Sequence, residues 1–137
     1  MSNETLIADR LDIADLFTRF ALLLDERRWD DFATVFADDV VLHSPRGGDL
    51  RGIQELVDFV RRSEVQGEDT QHTQSDLLVE LDGDKAAVSA NSIVYYFSDG
   101  RAPHQIGGLR STSTVVRTPA GWRIAEHRVT PLWIRKE

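Results

Sequence analysis

Cysteine is absent from the 137-residue chain, which excludes disulfides, thiolate metal sites and a cysteine nucleophile. No apolar run approaches the length needed to cross a bilayer, so no membrane partner is expected. The opening Met1-Ser2-Asn3-Glu4-Thr5 lacks the basic and apolar regions of a signal peptide, and the expected location is cytoplasmic. Positive charge is also in short supply. A net charge of −7 argues against nucleic acid, whose phosphates need a basic surface. The pairs Arg27-Arg28 and Arg61-Arg62 are too short to form a stripe and read as solvated surface charge. No repeat, low-complexity tract or linker interrupts the chain, and its length suits a single domain over 1–137 with one core.

What is present begins with an amphipathic helix over 4–26. Leu6, Ile7, Ile13, Leu16, Phe17, Phe20, Ala21 and Leu24 make one face, and Asp9, Arg10, Asp12, Asp15 and Arg19 fall mostly on the other. Trp29 precedes a second, shorter helix expected over 31–36, which Asp30 or Asp31 can cap. Ala37-Asp38-Asp39 breaks that pattern, 40–43 reads as a short strand, and 45–49 reads as a turn. Gly52 leads a third helix over 53–62 with Ile53, Leu56, Val57 and Val60 on its apolar face. From Gln71 the period becomes extended. Strands are expected over 71–81, 85–97, 106–117 and 122–133, with Asp82-Gly83-Asp84 a strong hairpin turn. Helices grouped before an antiparallel meander point to an α+β fold, three N-terminal helices covering one face of the sheet. Leu77, Val79 and Leu81, placed on the outward face, predict self-association.

Asp25 closes the apolar run of the first helix, in Leu22-Leu23-Leu24-Asp25. A carboxylate there must be hydrogen-bonded, paired or turned to a cavity, because burying an unpaired charge is costly. Residue by residue, it can equally cap the second helix or pair with an arginine, and His72 can be a surface strand residue. None of the four histidines stands at zinc-binding spacing, so no metal is expected.

Several stretches, taken in order, resemble the SnoaL-like branch of the NTF2-like superfamily. They are Leu24-Asp25 with Arg28-Trp29-Asp30, then Phe36-Ala37-Asp38-Asp39-Val40, and Arg51-Gly52-Ile53. Gln71-His72-Thr73, Val79-Glu80-Leu81-Asp82-Gly83-Asp84 and Gly121-Trp122-Arg123-Ile124 follow. The resemblance implies a cone of strongly curved antiparallel sheet plugged by helices, assembled as a homodimer or homotrimer. Scytalone dehydratase, bile-acid dehydratase, hexachlorocyclohexane dehydrochlorinase, polyketide cyclases and ketosteroid isomerase belong there, as do non-catalytic subunits, so fold alone does not fix function.

In the dehydratase and dehydrochlorinase members an aspartate on the first helix meets a histidine opening a strand, and Asp25 and His72 match those positions. Neutral imidazole accepts a proton near cellular pH, and a carboxylate on its other nitrogen fixes the tautomer. The implied activity is a cofactor-independent elimination or isomerisation of a small, apolar, cyclic or polyketide-like ligand in the cone. The resemblance also points to Phe20, Trp29, Ser92, Tyr96 and His127 as lining residues. Phe20 stands where some dehydratases carry a tyrosine. Tyr96 is a candidate acid or oxyanion donor, and His127, where the dehydrochlorinase has an arginine, a candidate acid. In a regular strand Asp76 shares the face of His72 and Gln74 and brings a second carboxylate. His43 is expected at the cone mouth without a partner, and His104 on an exposed loop. Other classes fit the same fold: a ligand-binding or oligomer-forming module without chemistry, or an accessory subunit of a ring-hydroxylating oxygenase.

Overall fold

The computed structural model describes residues 2–137; Met1 lies outside the described residues. Helix α1 spans Asn3–Asp25 and is opened by Ser2, whose hydroxyl accepts the Thr5 backbone N–H at 3.1 Å. Ile13, Leu16, Phe17 and Leu23 form its buried stripe, with Phe20 and Leu24 packed beside them. Two positions depart from the expected faces. Ile7 is exposed, and Asp9 is buried.

Asp9 is tolerated there because its oxygens are satisfied. Oδ2 accepts from Arg117 at 2.7 Å and Oδ1 from the Trp122 indole at 3.1 Å. The Arg117 guanidinium lies over the Trp122 ring at 4.5 Å and also bonds Asp84. The Arg117 bond is the main reason the Asp9 carboxyl is held below its usual range.

After α1 the backbone turns at Arg27, with φ of 55°. The expected second α-helix is a 3-10 helix, Trp29–Thr34, and it starts and stops earlier. Asp30 and Asp31 lie in its first turn; Arg28 holds the N-cap position without a side-chain bond. Phe32, Val35 and Phe36 are fully buried, and the Phe20 ring meets Phe36 edge-on at 4.9 Å. Strand β1, Phe36–Ser44, takes in Ala37-Asp38-Asp39, and β2, Gly48–Arg51, occupies what reads as turn. Gly52, at φ 85°, sends its N–H to the Val40 carbonyl at 2.7 Å and starts α2, Ile53–Arg62. A side chain would strain that corner.

The meander follows as β3 (Asp69–Asp82), β4 (Lys85–Phe97), β5 (Gln105–Thr118) and β6 (Gly121–Lys136). One six-stranded sheet results, in the order β2-β1-β6-β5-β4-β3. Strand β1 runs parallel to β6, with Leu42 opposite His127, so the sheet is mixed rather than wholly antiparallel. The architecture is α+β, helices on a sheet. Only α1 is a long N-terminal helix, because β1 and β2 stand between the 3-10 helix and α2.

Strand β3 carries a bulge. Its register with β4 shifts between Ser75 and Leu78, where Asp76 has φ of 55°. Before it, Thr70, His72 and Gln74 face the interior. After it, Leu77, Val79 and Leu81 pack against the core. One extra residue reverses the alternation. The outward apolar face expected at Leu77, Val79 and Leu81 is therefore an inward one, and Leu78 is the exposed residue. Among the described residues no helix is long and apolar enough to cross a membrane.

Candidate functional site

A cavity of about 610 Å³ lies between the helices and the sheet. Phe20 and Leu24 of α1, Trp29, Phe59 of α2, and Val94 and Leu109 of the sheet give it a largely apolar wall. Trp29 is fixed by edge-on contact with Phe32 at 5.8 Å. Into this wall β3 brings Thr70 and His72.

Asp25, the last residue of α1, stands behind His72 rather than on the cavity surface. Its Oδ1 lies 2.6 Å from His72 Nδ1 and accepts from the Thr70 hydroxyl at 3.0 Å. Its Oδ2 accepts the His72 backbone N–H at 2.9 Å. The two side chains are 19% and 17% exposed. An ionised carboxylate can only accept, so Nδ1 carries the proton and Nε2 keeps a lone pair. Among the described residues Nε2 has no partner. The third donor, Thr70, was not anticipated. The signal for it was available in the alternation, because Thr70 shares the face of His72 two residues on.

His127 lies deeper, on β6. It is 4% exposed, bonded through Nδ1 to the Ser113 hydroxyl at 2.7 Å, and edge-on to the Phe20 ring at 5.4 Å. Burial pushes its pKa down to about 4. It is thus neutral near pH 7. Ser113, buried beside it, has no counterpart in the sequence-based reading.

On β4, Ser92, Val94 and Tyr96 line the cavity. Burial raises the Tyr96 pKa, so its hydroxyl stays protonated as a donor. Asp76 is not beside His72. The bulge turns it out to accept from the Asn91 side chain at 2.9 Å. His43 is not at the mouth and is not alone. It lies between Glu126, 3.1 Å from Nε2, and Asp49, 2.7 Å from Nδ1, and both carboxylates raise its pKa, Glu126 the more. His104, 43% exposed, bonds Glu68 at 2.8 Å. Arg27 pairs with Glu64 at 2.9 Å at the cavity rim. Among the described residues no three His, Cys, Asp or Glu side chains are grouped to hold a metal ion.

The SnoaL-like domain family matches residues 5–128. An uncharacterized protein of Mycobacterium tuberculosis, Rv2910c, is 32% identical over 124 residues, which cover 86% of this chain and 82% of that protein. Two solved structures share the fold. The hexachlorocyclohexane dehydrochlorinase LinA-type3 of Novosphingobium barchaimii superposes with a TM-score of 0.86 at 18% identity, over 99% of this chain and 94% of its own. A scytalone dehydratase-like protein of Novosphingobium aromaticivorans gives 0.87 at 14%, over 99% and 92%. The family match spans nearly all of the chain, and the protein belongs to the SnoaL-like domain family.

Proposed function

We propose that the protein is a cofactor-independent lyase or isomerase in which His72 removes a proton from a carbon of a small, largely apolar, cyclic or polyketide-like substrate. One observation carries this reading: the 2.6 Å Asp25–His72 bond leaves Nε2 without a protein partner on a residue that lines the cavity. The carboxylate holds the productive tautomer and stabilises the imidazolium that forms. A leaving group on the adjacent carbon completes an elimination; a neighbouring carbonyl gives an enolate and leads to isomerisation or cyclisation. The cavity volume is in the range of small-molecule sites. The dehydrochlorinase and the dehydratase-like protein lend support as fold neighbours.

The test is a panel of cyclic ketones and β-hydroxy ketones incubated in deuterium oxide and followed by mass spectrometry. Deuterium uptake or loss of water is expected with the native protein, reduced about 10³-fold in His72→Ala with circular dichroism unchanged. Undiminished turnover in that variant would sink the proposal.

A second reading, a module that holds its ligand without reacting it, is favoured by one observation. Phe20 offers no hydroxyl to the cavity and spends its ring on Phe36 and His127. Tight binding of panel members with no deuterium uptake would select it.

A further inference from the structure

We infer that Ser113 and His127 form a second polar station in the cavity, a neutral imidazole N–H that takes a carbonyl or hydroxyl oxygen of the ligand. The inference deepens the proposed reaction by naming the substrate class, and it rests on that reading only for which carbon gives up its proton to His72.

The two residues face each other across the β5–β6 ladder, Ser113 opposite His127. Their side chains meet at 2.7 Å, and the heavy atoms alone leave open which one donates. Proton accounting decides it. Ser113 is buried and does not line the cavity, and among the described residues its hydroxyl has no other partner. If Nδ1 donated, the hydroxyl proton would be sealed away without an acceptor, which buried groups avoid. The hydroxyl therefore donates, Nδ1 accepts, and the ring proton is on Nε2.

That proton needs a destination. No protein group among the described residues accepts it. No fully buried side-chain nitrogen or oxygen lacks a partner, so Nε2 is not sealed, and the surface that His127 presents is the cavity. Beside it stand the edge of Phe20, Leu42 opposite on β1, and Val129 two residues on, which pairs with the lining residue Ser111.

An N–H donor with no protein acceptor, in a largely apolar wall, recognises an acceptor on a ligand. An uncharged donor suits a ketone, enone or hydroxyl oxygen, whereas an ammonium group has no acceptor to offer it. Phe20 packs on His127, and Asp25 follows five residues later, about 7.5 Å of helix rise. A one- or two-ring ligand fits the cavity of about 610 Å³ that both histidines line, with its oxygen on His127 and an acidic carbon towards His72. Ser113 is then a positioning residue, acting through the tautomer of His127.

The experiment reads binding and tautomer, not turnover. Nitrogen-15 NMR of the native protein is expected to show His127 protonated at Nε2; a ring protonated at Nδ1 overturns the inference. The affinities of 1-tetralone and its hydrocarbon, tetralin, are then compared by titration calorimetry. The ketone-to-hydrocarbon ratio is expected to fall about tenfold in His127→Phe. It should fall partway in Ser113→Ala and recover in Ser113→Thr. An unaltered ratio in a folded His127→Phe protein also overturns it. If His72→Ala leaves turnover intact while the ratio still depends on His127, the reaction is wrong and the oxygen site stands.

Discussion

A carboxylate that accepts three hydrogen bonds is held in one orientation, and at Asp25 each bond comes from a different kind of group: a ring N–H, a hydroxyl and a backbone N–H. Thr70→Val removes the hydroxyl while keeping the shape, so Asp25 should align His72 less firmly. Turnover is expected to drop about tenfold with substrate affinity nearly unchanged, measured by steady-state kinetics on the best panel substrate. Equal loss in affinity would place Thr70 on the ligand instead. The pairing of Asp25 with His72 was legible through family order, because each sits at an element boundary that the sequence marks. Thr70 and Ser113 were not, since their roles depend on which residue lies opposite, and cross-strand register is a property of the assembled sheet. His127 was legible as a cavity residue but not as a neutral one, because its burial is supplied by Phe20 and the far strands.

At the scale of elements, strong local signals reproduced the chain closely. Helix α2 and strand β4 have the expected bounds, set by Gly52 at one start and the Asp82-Gly83-Asp84 turn at the other. Strand β1 was underestimated because Asp38 and Asp39 disfavour a strand, while non-local pairing with β6 holds one there. The bulge in β3 had no local signal either; Asp76 in a left-handed conformation is a tertiary choice. Deleting Asp76 tests its meaning. The hairpin turn tethers the second half of β3 to β4, and the partly buried Leu77, Val79 and Leu81 hold it against the core, so that half should keep its place. The first half should then flip, turning His72 outward. The expected protein is folded by circular dichroism yet reduced about 10³-fold in turnover; retained activity would show that the bulge can re-form elsewhere.

For the whole molecule, His127, Asp9 and His43 shape stability against pH with different signs. The folded pKa of His127 is lowered, so between the ordinary value of 6.5 and about 4 the unfolded chain binds a proton that the folded one refuses. Stability present above pH 6.5 is lost as pH falls through that window, by about 3 kcal/mol. Asp9, held below its usual range, adds stability that disappears only at lower pH still, as its folded value is passed. His43, raised by Glu126 and Asp49, acts oppositely. Its contribution is complete below 6.5 and fades as pH rises through its folded value. Urea midpoints at pH 7 and pH 4.5 should therefore differ less in His127→Gln than in the native protein; an equal difference would mean that His127 is not the group responsible.

Asp9 and Asp25 sit sixteen positions apart on one uninterrupted helix, about 24 Å, and each is bolted to a different part of the sheet: Asp9 to Arg117 and Trp122, Asp25 to Thr70 and His72. Helix α1 is in that sense a tie-bar, and a tie-bar transmits misalignment from either joint. A slip at the Asp9 joint would tilt the whole bar, carry Asp25 off its histidine and shift Phe20 and Leu24 in the cavity wall with it. The aim of His72 is thus tied to the far end of α1, to an arginine and a tryptophan that lie outside the cavity lining.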